Sequence, residues 1–414
     1  MAISYKKADR MLVALKSQFM LDPDIHYLNH GSFGACPRPV FEEYQRWQLE
    51  LERNPIDYFT RQLKGLFSKE ADGPLEYARS ELSTFVNADP NGMIFTPNVT
   101  VALNSIANSI QLNAHDEVLT TDHEYGTIIA TWARKCKQTG AVLKQVEIDL
   151  PVSTQFEFID FFWEQVTSRT KVILMSHITS ATALVLPVKE ICERARQAGI
   201  ITVIDGAHAV GQLDLDVLDI NADYYTSNCH KWLLTPKGTA FLYVHPEQRN
   251  HFQPLVISWA EINLPSFSLR HEMWGTRDMA AFLSIPSALE FRQQHDWSNR
   301  AVEARNIVLE YREKFAALFE RDLICDETWL GQMASVLLPV NTPALELWNY
   351  LWAEYRIEAM ITKWRDEPIL RLAYNAYNSA GEMDVLLQAI SSFLKRSPQS
   401  SSNKNTSSIF KLNT

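Results

Sequence analysis

The chain has 414 residues, 46% hydrophobic and 21% charged, with a formal net charge of -10. These values argue against a collagen-like repeat, a coiled coil or a disordered chain, and the length exceeds one ordinary core. The acidic balance argues against a nucleic-acid or anionic-membrane surface and leaves a small molecule as the expected partner.

Residues Met1–Leu21 read as an amphipathic arm with no signal-peptide core, broken by Asp22-Pro23-Asp24 before a short strand at Ile25–Leu28. Asn29–Pro37 reads as a tight loop with Gly31 and Gly34 at its turns. Helical patterns follow at Phe41–Leu51 and Leu75–Val86, then a turn at Asp89–Gly92 and a strand at Met93–Thr96. Pro97–Thr100 reads as a capped turn opening a helix over Val101–Leu112, which offers free N–H groups to a phosphate. Strands at Asp116–Thr121, Ala141–Val146, Lys171–Ser176 and Ile200–Asp205 alternate with helices at Gly126–Lys137, Phe158–Val166 and Val188–Ala198. Tyr224–Ser227 and Thr239–Val244 add two more strands. Strands that are nearly all apolar and separated by helices predict an α/β fold with a mostly parallel sheet covered on both faces and the ligand at the strands' carboxyl ends.

After Pro254 the pattern changes to long helices (Met279–Gln294, Asn299–Phe319) and shorter strands (Ala334–Pro339, Ile369–Leu372), predicting a smaller α+β domain. The expected division is an arm over 1–24 packing on the small domain, a large cofactor domain over 25–255, a small domain over 256–395 and a Ser/Asn-rich disordered tail over 396–414. Cys36, Cys136, Cys192, Cys229 and Cys325 are scattered without CxxC spacing, which speaks for a reducing compartment and against a disulfide framework or a metal site. No apolar run is long enough for a membrane span, so the expected location is the cytoplasm.

The chemistry centres on Asn228-Cys229-His230-Lys231-Trp232. An apolar strand delivers Lys231 between two rings, where burial lowers an amine's pKa toward imine formation. About two dozen residues earlier, Val203-Ile204-Asp205-Gly206-Ala207-His208 ends a buried strand in a carboxylate that pairing with a protonated pyridine nitrogen would satisfy. Together these two stretches read as the lysine and the ring carboxylate of a pyridoxal phosphate enzyme, with His208 able to reach the phenolic oxygen. A surface lysine and a helix-capping aspartate are the bland alternatives.

Those stretches, with Asn29-His30-Gly31-Ser32-Phe33-Gly34, Phe95-Thr96-Pro97-Asn98-Val99-Thr100, Asp122-His123-Glu124-Tyr125-Gly126, Ser176-His177-Ile178-Thr179-Ser180 and Trp274-Gly275-Thr276-Arg277-Asp278, resemble the class V, fold-type I pyridoxal phosphate enzymes. The resemblance runs from about Leu21 to Ser392 and is strongest to the isopenicillin N epimerase branch. It implies a seven-stranded, mostly parallel sheet and a smaller C-terminal domain. It also implies Lys231 as the imine-forming and proton-transferring lysine and Asp205 at the ring nitrogen. His208 would lie near the phenolic oxygen, and Val99, Thr100, Asn228 and His230 at the phosphate. Tyr125, ahead of His123, takes the place of the ring-stacking residue. Thr276 would reach the phosphate of a neighbouring subunit, implying a homodimer with shared sites. Arg371 would clamp the substrate α-carboxylate with its bidentate fork, with Asn29 lining the same pocket.

Three departures separate the chain from the cysteine desulfurases of that family. Asn228 stands where they carry serine, Ser180 where they carry asparagine, and Ile361–Pro368 holds no cysteine. Without a thiolate there, persulfide formation is not expected. The expected activity is an amino-acid epimerase or racemase, with a C–S β-lyase of the hercynylcysteine sulfoxide lyase kind as the alternative. A non-catalytic cofactor-binding homologue is disfavoured by Lys231, Asp205 and Arg371 together, and a nicotinamide dehydrogenase by the lack of GxGxxG after an early strand.

Overall fold

The computed structural model describes residues 15–63, 73–258, 260–263 and 266–396; the first fourteen residues of the expected arm and residues 397–414 of the expected tail lie outside the described residues. In chain order the strands are β1 (His26–Tyr27), β2 (Met93–Thr96), β3 (Glu117–Thr121), β4 (Val142–Val146), β5 (Thr170–Ser176), β6 (Ile201–Asp205), β7 (Tyr224–Asn228) and β8 (Ala240–Val244), followed by β9 (Met333–Leu337), β10 (Ile357–Glu358), β11 (Met360–Trp364) and β12 (Glu367–Ala373).

Seven of them form one sheet in the order β2-β8-β7-β6-β5-β3-β4. Strands β4, β3, β5, β6 and β7 run parallel, and β8 is antiparallel to both of its neighbours. This is the mostly parallel seven-stranded sheet that the apolar strands predict. The pleat divides each strand between two cores: Val172, Leu174 and Val203 pack on one face, while Ile173, Met175 and Ile204 pack on the other. Burial on both faces explains why these strands read as continuous apolar runs.

A second, antiparallel sheet has the order β11-β12-β9 and carries helices Trp297–Phe319 and Ala344–Tyr355. Helix Ala380–Leu394 packs against both of these helices. The start of the chain returns to this region, because β1 pairs in parallel with β10 and Lys16 Nζ lies 2.9 Å from Glu382. Phe19 packs on Tyr377 with ring centroids 4.6 Å apart. Helices Phe267–Glu272, Ala280–Leu283 and Ile285–Gln294 instead pack against β2 and the helices Arg38–Arg53 and Pro74–Phe85.

Two local expectations need correcting. Asn29–Pro37 is not wholly loop: His30–Phe33 forms a helical turn, steadied by Ser32 Oγ donating to Asn29 Oδ1 at 2.6 Å, and Gly34 then takes a left-handed φ of 68°. The helix expected over Met279–Gln294 breaks at Ser284 into two, because Pro286 has no N–H to continue the ladder and opens the second helix instead.

One buried ion pair fastens the edge of the large sheet. Arg79 donates to both oxygens of Glu272, at 2.6 and 2.9 Å, and to the Met93 carbonyl, while the Phe95 N–H donates to Glu272 at 2.5 Å. Arg79 is 1% exposed and Glu272 fully buried, so neither charge has water as an alternative partner. Arg79→Met is therefore expected to cost about 3–5 kcal/mol by leaving Glu272 unpaired. A large part of that loss should return in Arg79→Met/Glu272→Leu, measured as denaturant midpoints of the full chain.

Candidate active site

Four parallel strands end side by side, and each feeds a chemically loaded turn. β3 leads to Glu124 and Tyr125, β5 to His177–Ser180, β6 to Gly206–His208, and β7 to Cys229–Lys231. The register places Ser176 beside Asp205 and Asp205 beside Thr226, so the turns meet at one edge.

Lys231 Nζ lies 3.2 Å from His208 Nε2. Burial, then the positive charge of Arg371, lowers the amine to about 7, against the opposing pull of Asp205. Asp205 is 3% exposed and accepts the Ala207 N–H at 2.8 Å. Burial raises its carboxyl to about 6, although that bond and the Lys231 charge favour the anion. Burial also holds His208 neutral, far below the usual imidazole range. With Lys231 as donor, Nε2 is the acceptor and the proton sits on Nδ1, a buried atom without a partner.

Arg371, 1% exposed, donates from Nη1 to the Ser180 carbonyl at 2.8 Å and from Nη2 to Ser32 Oγ at 3.0 Å and Asn29 Oδ1 at 3.3 Å. Its Nε has no partner, and burial lowers the guanidinium to about 10. The helix expected from Val101 starts at Val99, so Val99 and Thr100 form its first turn. The Val99 N–H donates to Asn228 Oδ1 at 3.0 Å and the Val101 N–H to Asn98 Oδ1 at 3.0 Å, which ties the helix start to the end of β7. His230 donates through Nδ1 to the Thr239 carbonyl at 3.0 Å, and burial lowers it to about 4.

Lys231, Asp205, His208, Arg371, Asn29, Asn228, His230 and Val99 thus form one connected neighbourhood. Three of the expected residues stand outside its bonds. Tyr125 precedes helix Gly126–Thr139 and is 44% exposed, Thr276 is exposed beside Gly275, whose φ is 95°, and Thr100 is exposed, its carbonyl accepting from Asn104 within the helix. His123 is fully engaged, with Thr182 Oγ1 at 2.8 Å and the Ile148 carbonyl at 2.9 Å.

Sequence reasoning gave no role to three residues that the fold brings in. His30 Nε2 donates to the Lys231 carbonyl at 3.0 Å while Nδ1 accepts from Tyr377 Oη at 2.8 Å. Ser32 holds Arg371, and Glu124 lies close enough to Asp205 to feel its charge. His30 and Ser32 were visible only as members of a Gly-rich stretch, and Glu124 as the neighbour of Tyr125.

The unspent valences have a common answer. A buried amine, a carboxylate with one acceptor bond, a partnerless His208 Nδ1 and a partnerless Arg371 Nε call for a ligand with a cationic ring nitrogen, a phenolic oxygen and a carboxylate-bearing substrate. These residues fit pyridoxal phosphate.

The family model described as aminotransferase class-V matches residues 35–326. An isopenicillin N epimerase of Streptomyces clavuligerus is 32% identical over 91% of this chain and 96% of its own length. A probable chloroplastic L-cysteine desulfhydrase of Arabidopsis thaliana is 28% identical over 90% of this chain and 84% of its own. Among solved structures, the cystine C–S lyase C-DES, in a form with glycine covalently linked to its PLP cofactor, superposes with a TM-score of 0.75 at 20% identity, covering 91% of this chain and 98% of its own.

Gly34 lets the first segment touch the lysine turn: a Cβ there would lie 2.8 Å from Lys231 Cα and still closer to the His230 carbonyl. Gly34→Ala is expected to cost well over the ~1 kcal/mol of left-handed strain alone. Gly238→Ala, with φ 87° and open space around its Cβ, isolates the strain as a control. Equal denaturant midpoints for the two variants would remove the close approach from the argument.

Proposed function

The chain belongs to the aminotransferase class-V family, and from that premise we propose that it is a pyridoxal phosphate-dependent enzyme acting at the α-carbon of an amino acid, as an isopenicillin N epimerase-like epimerase or racemase. The observation that carries the reading is the Lys231 amine 3.2 Å from His208 Nε2, on a turn that meets the Asp205 strand end, with burial and Arg371 lowering it to about 7. The bound cofactor supplies an electron sink conjugated to the substrate's α-carbon.

The protein's own groups supply the rest. Arg371 binds the α-carboxylate through a fork now shared with Asn29 and Ser32. Lys231, neutral near pH 7, takes the α-proton at Nζ. Asp205, as the anion, would keep the ring nitrogen's proton in place, and His208 would lie near the phenolic oxygen. Val99, Thr100, Asn228 and His230 would hold the phosphate. Epimerisation needs a proton returned on the opposite face, either by Tyr125, the residue expected to stack on the ring, or by a mobile Lys231. Thr276, exposed on its own subunit, reaches the neighbour's phosphate in a homodimer. Residues 25–255 serve as the cofactor domain and 256–395 as the small domain, whose leading helices over 267–294 pack on the cofactor domain. The acidic chain works in the cytoplasm; among the described residues no helix is long and apolar enough to cross a membrane.

The second reading is a C–S β-lyase, supported by the 28% identity to a protein named for cysteine desulfhydration. A persulfide-forming desulfurase is disfavoured because all five cysteines are buried and burial raises each thiol, Cys36 and Cys325 to about 12.

Reconstitution with pyridoxal phosphate is expected to give a visible absorbance band that Lys231→Ala loses. The rate at which that band appears should rise with pH through about 7 and then level off, because the lowered lysine is deprotonated there. A rate still climbing toward the ordinary lysine range would contradict the buried, depressed amine. In deuterated water, an epimerase incorporates deuterium at the α-carbon of inverted product, whereas a β-lyase releases a keto acid from a cysteine-type substrate. Keto acid with no inverted product would replace the first reading by the second.

A further inference from the structure

Glu124 is the one carboxylate of the cleft without an assigned task. It stands in the turn after β3, where its Oε1 accepts from Thr121 Oγ1 at 2.9 Å and its Oε2 from Ser176 Oγ at 2.5 Å. Ser176 ends β5, which lies between β3 and β6, and is the register partner of Asp205, so the two carboxylates flank one strand end and Ser176 stands between them. No ion pair falls on Glu124 among the described residues.

The other ionisable groups around it are already committed. On its own turn Asp122 pairs with Arg365, and His123 is bonded to Thr182 and Ile148. On the β5 side His177 Nδ1 meets Tyr225 Oη at 2.8 Å, and on the β7 side Lys231 faces His208. Asp205 is the charge that Glu124 feels.

Hydroxyl partners are informative here. Ser176 and Thr121 can donate to a carboxylate or accept from a carboxylic acid, whereas a lysine or arginine would tolerate only the anion. Two carboxylates on either side of one strand end, with no ion pair on Glu124 among the described residues, resist being charged together. Asp205 has the ring nitrogen as its partner under the pyridoxal phosphate reading, so Glu124 is the group that can hold the proton. Burial first, and Asp205 with it, raises Glu124 to about 7, against the Ser176 and Thr121 bonds that lower it.

We propose that Glu124 is a positioning residue that sets the charge at the ring end of the cofactor cleft: protonated, it leaves Asp205 as the sole anion there, and ionised, it adds a second. The added anion stabilises the protonated form of the cofactor's linkage to Lys231 and so holds its proton to higher pH. Glu124 acts through the field and through the β3–β5 edge that it spans and takes no proton from substrate. This inference rests on the pyridoxal phosphate reading of the site.

The test is a pH titration of the visible absorbance of reconstituted full-length protein without substrate. Relative to the native chain, Glu124→Gln keeps the size and hydrogen bonds of the side chain and removes its charge. Its spectral midpoint is expected to fall by about half a pH unit or more. Ser176→Ala, which removes a donor to the anion, is expected to move the midpoint in the same direction by less, and it carries the test alone if Glu124→Gln does not fold. Midpoints of the folded variants that superimpose on the native one, or that rise, would overturn the proposal. A native chain that shows no visible band at all would overturn the pyridoxal phosphate reading instead, and the two failures are thereby told apart.

Discussion

Asp205, His208 and Arg371 are buried and Lys231 half-buried in one strand-end cleft without a closed ion pair among them. Desolvation penalises every charge they carry, and each responds in the direction that reduces its charge: the lysine and arginine fall, the aspartate rises, and the histidine stays neutral. Such a cluster is costly for a protein with no ligand in view and favourable for one whose ligand brings complementary charges. The parallel sheet, with both faces buried, is the rigid element that holds these groups together despite that cost.

The first described segment acts as a strap across this arrangement. Asn29 and Ser32 hold Arg371, His30 holds the Lys231 carbonyl, and Tyr377 orients His30 from beyond the second sheet. Burial lowers His30 to about 3, so it stays neutral with one nitrogen donating and the other accepting. Arg292 secures the other side of the lysine turn, donating to the Trp232 carbonyl at 2.8 Å and the Gly211 carbonyl at 3.0 Å. The turn is thus gripped from two directions. Gly31 and Gly34 are required because a Cβ at either would meet Met333 or the lysine turn itself.

Much of this was legible in the sequence, for physical reasons that also mark where legibility ended. Strands buried on both faces must be apolar throughout, so β5 to β8 announced themselves, and a charged residue ending such a strand, as Asp205 does, is conspicuous. The lysine turn was readable for the same reason. His30, Ser32 and Glu124 were not, because each acts through partners 52 to 347 positions away, and nothing local distinguishes them from capping or turn residues. The turn at His30–Phe33 was missed because glycine content signals a loop, whereas the Ser32–Asn29 bond closes it as a helix. Pro286 was the readable cause of the break at Ser284 and was outweighed by the apolar periodicity around it.

The hairpin of β11 and β12 narrows the chemistry. Its strands pair from Met360↔Arg371 to Trp364↔Glu367, leaving Arg365-Asp366 as a two-residue turn, and Arg365 is fastened to Asp122 and Asp149. A segment so short and so anchored brings neither a thiol nor slack chain over the cleft. Under the β-lyase reading, substrate sulfur would then depart as a small molecule. As proposed, epimerisation and β-elimination would share every protein step up to removal of the α-proton by Lys231. They divide on whether the substrate carries a good leaving group and on whether an acid waits on the opposite face. On the proposed reading the scaffold supplies the common half of the reaction, and the other half would fall to exposed residues such as Tyr125 and Thr276, where the buried constraints that made the rest predictable no longer act.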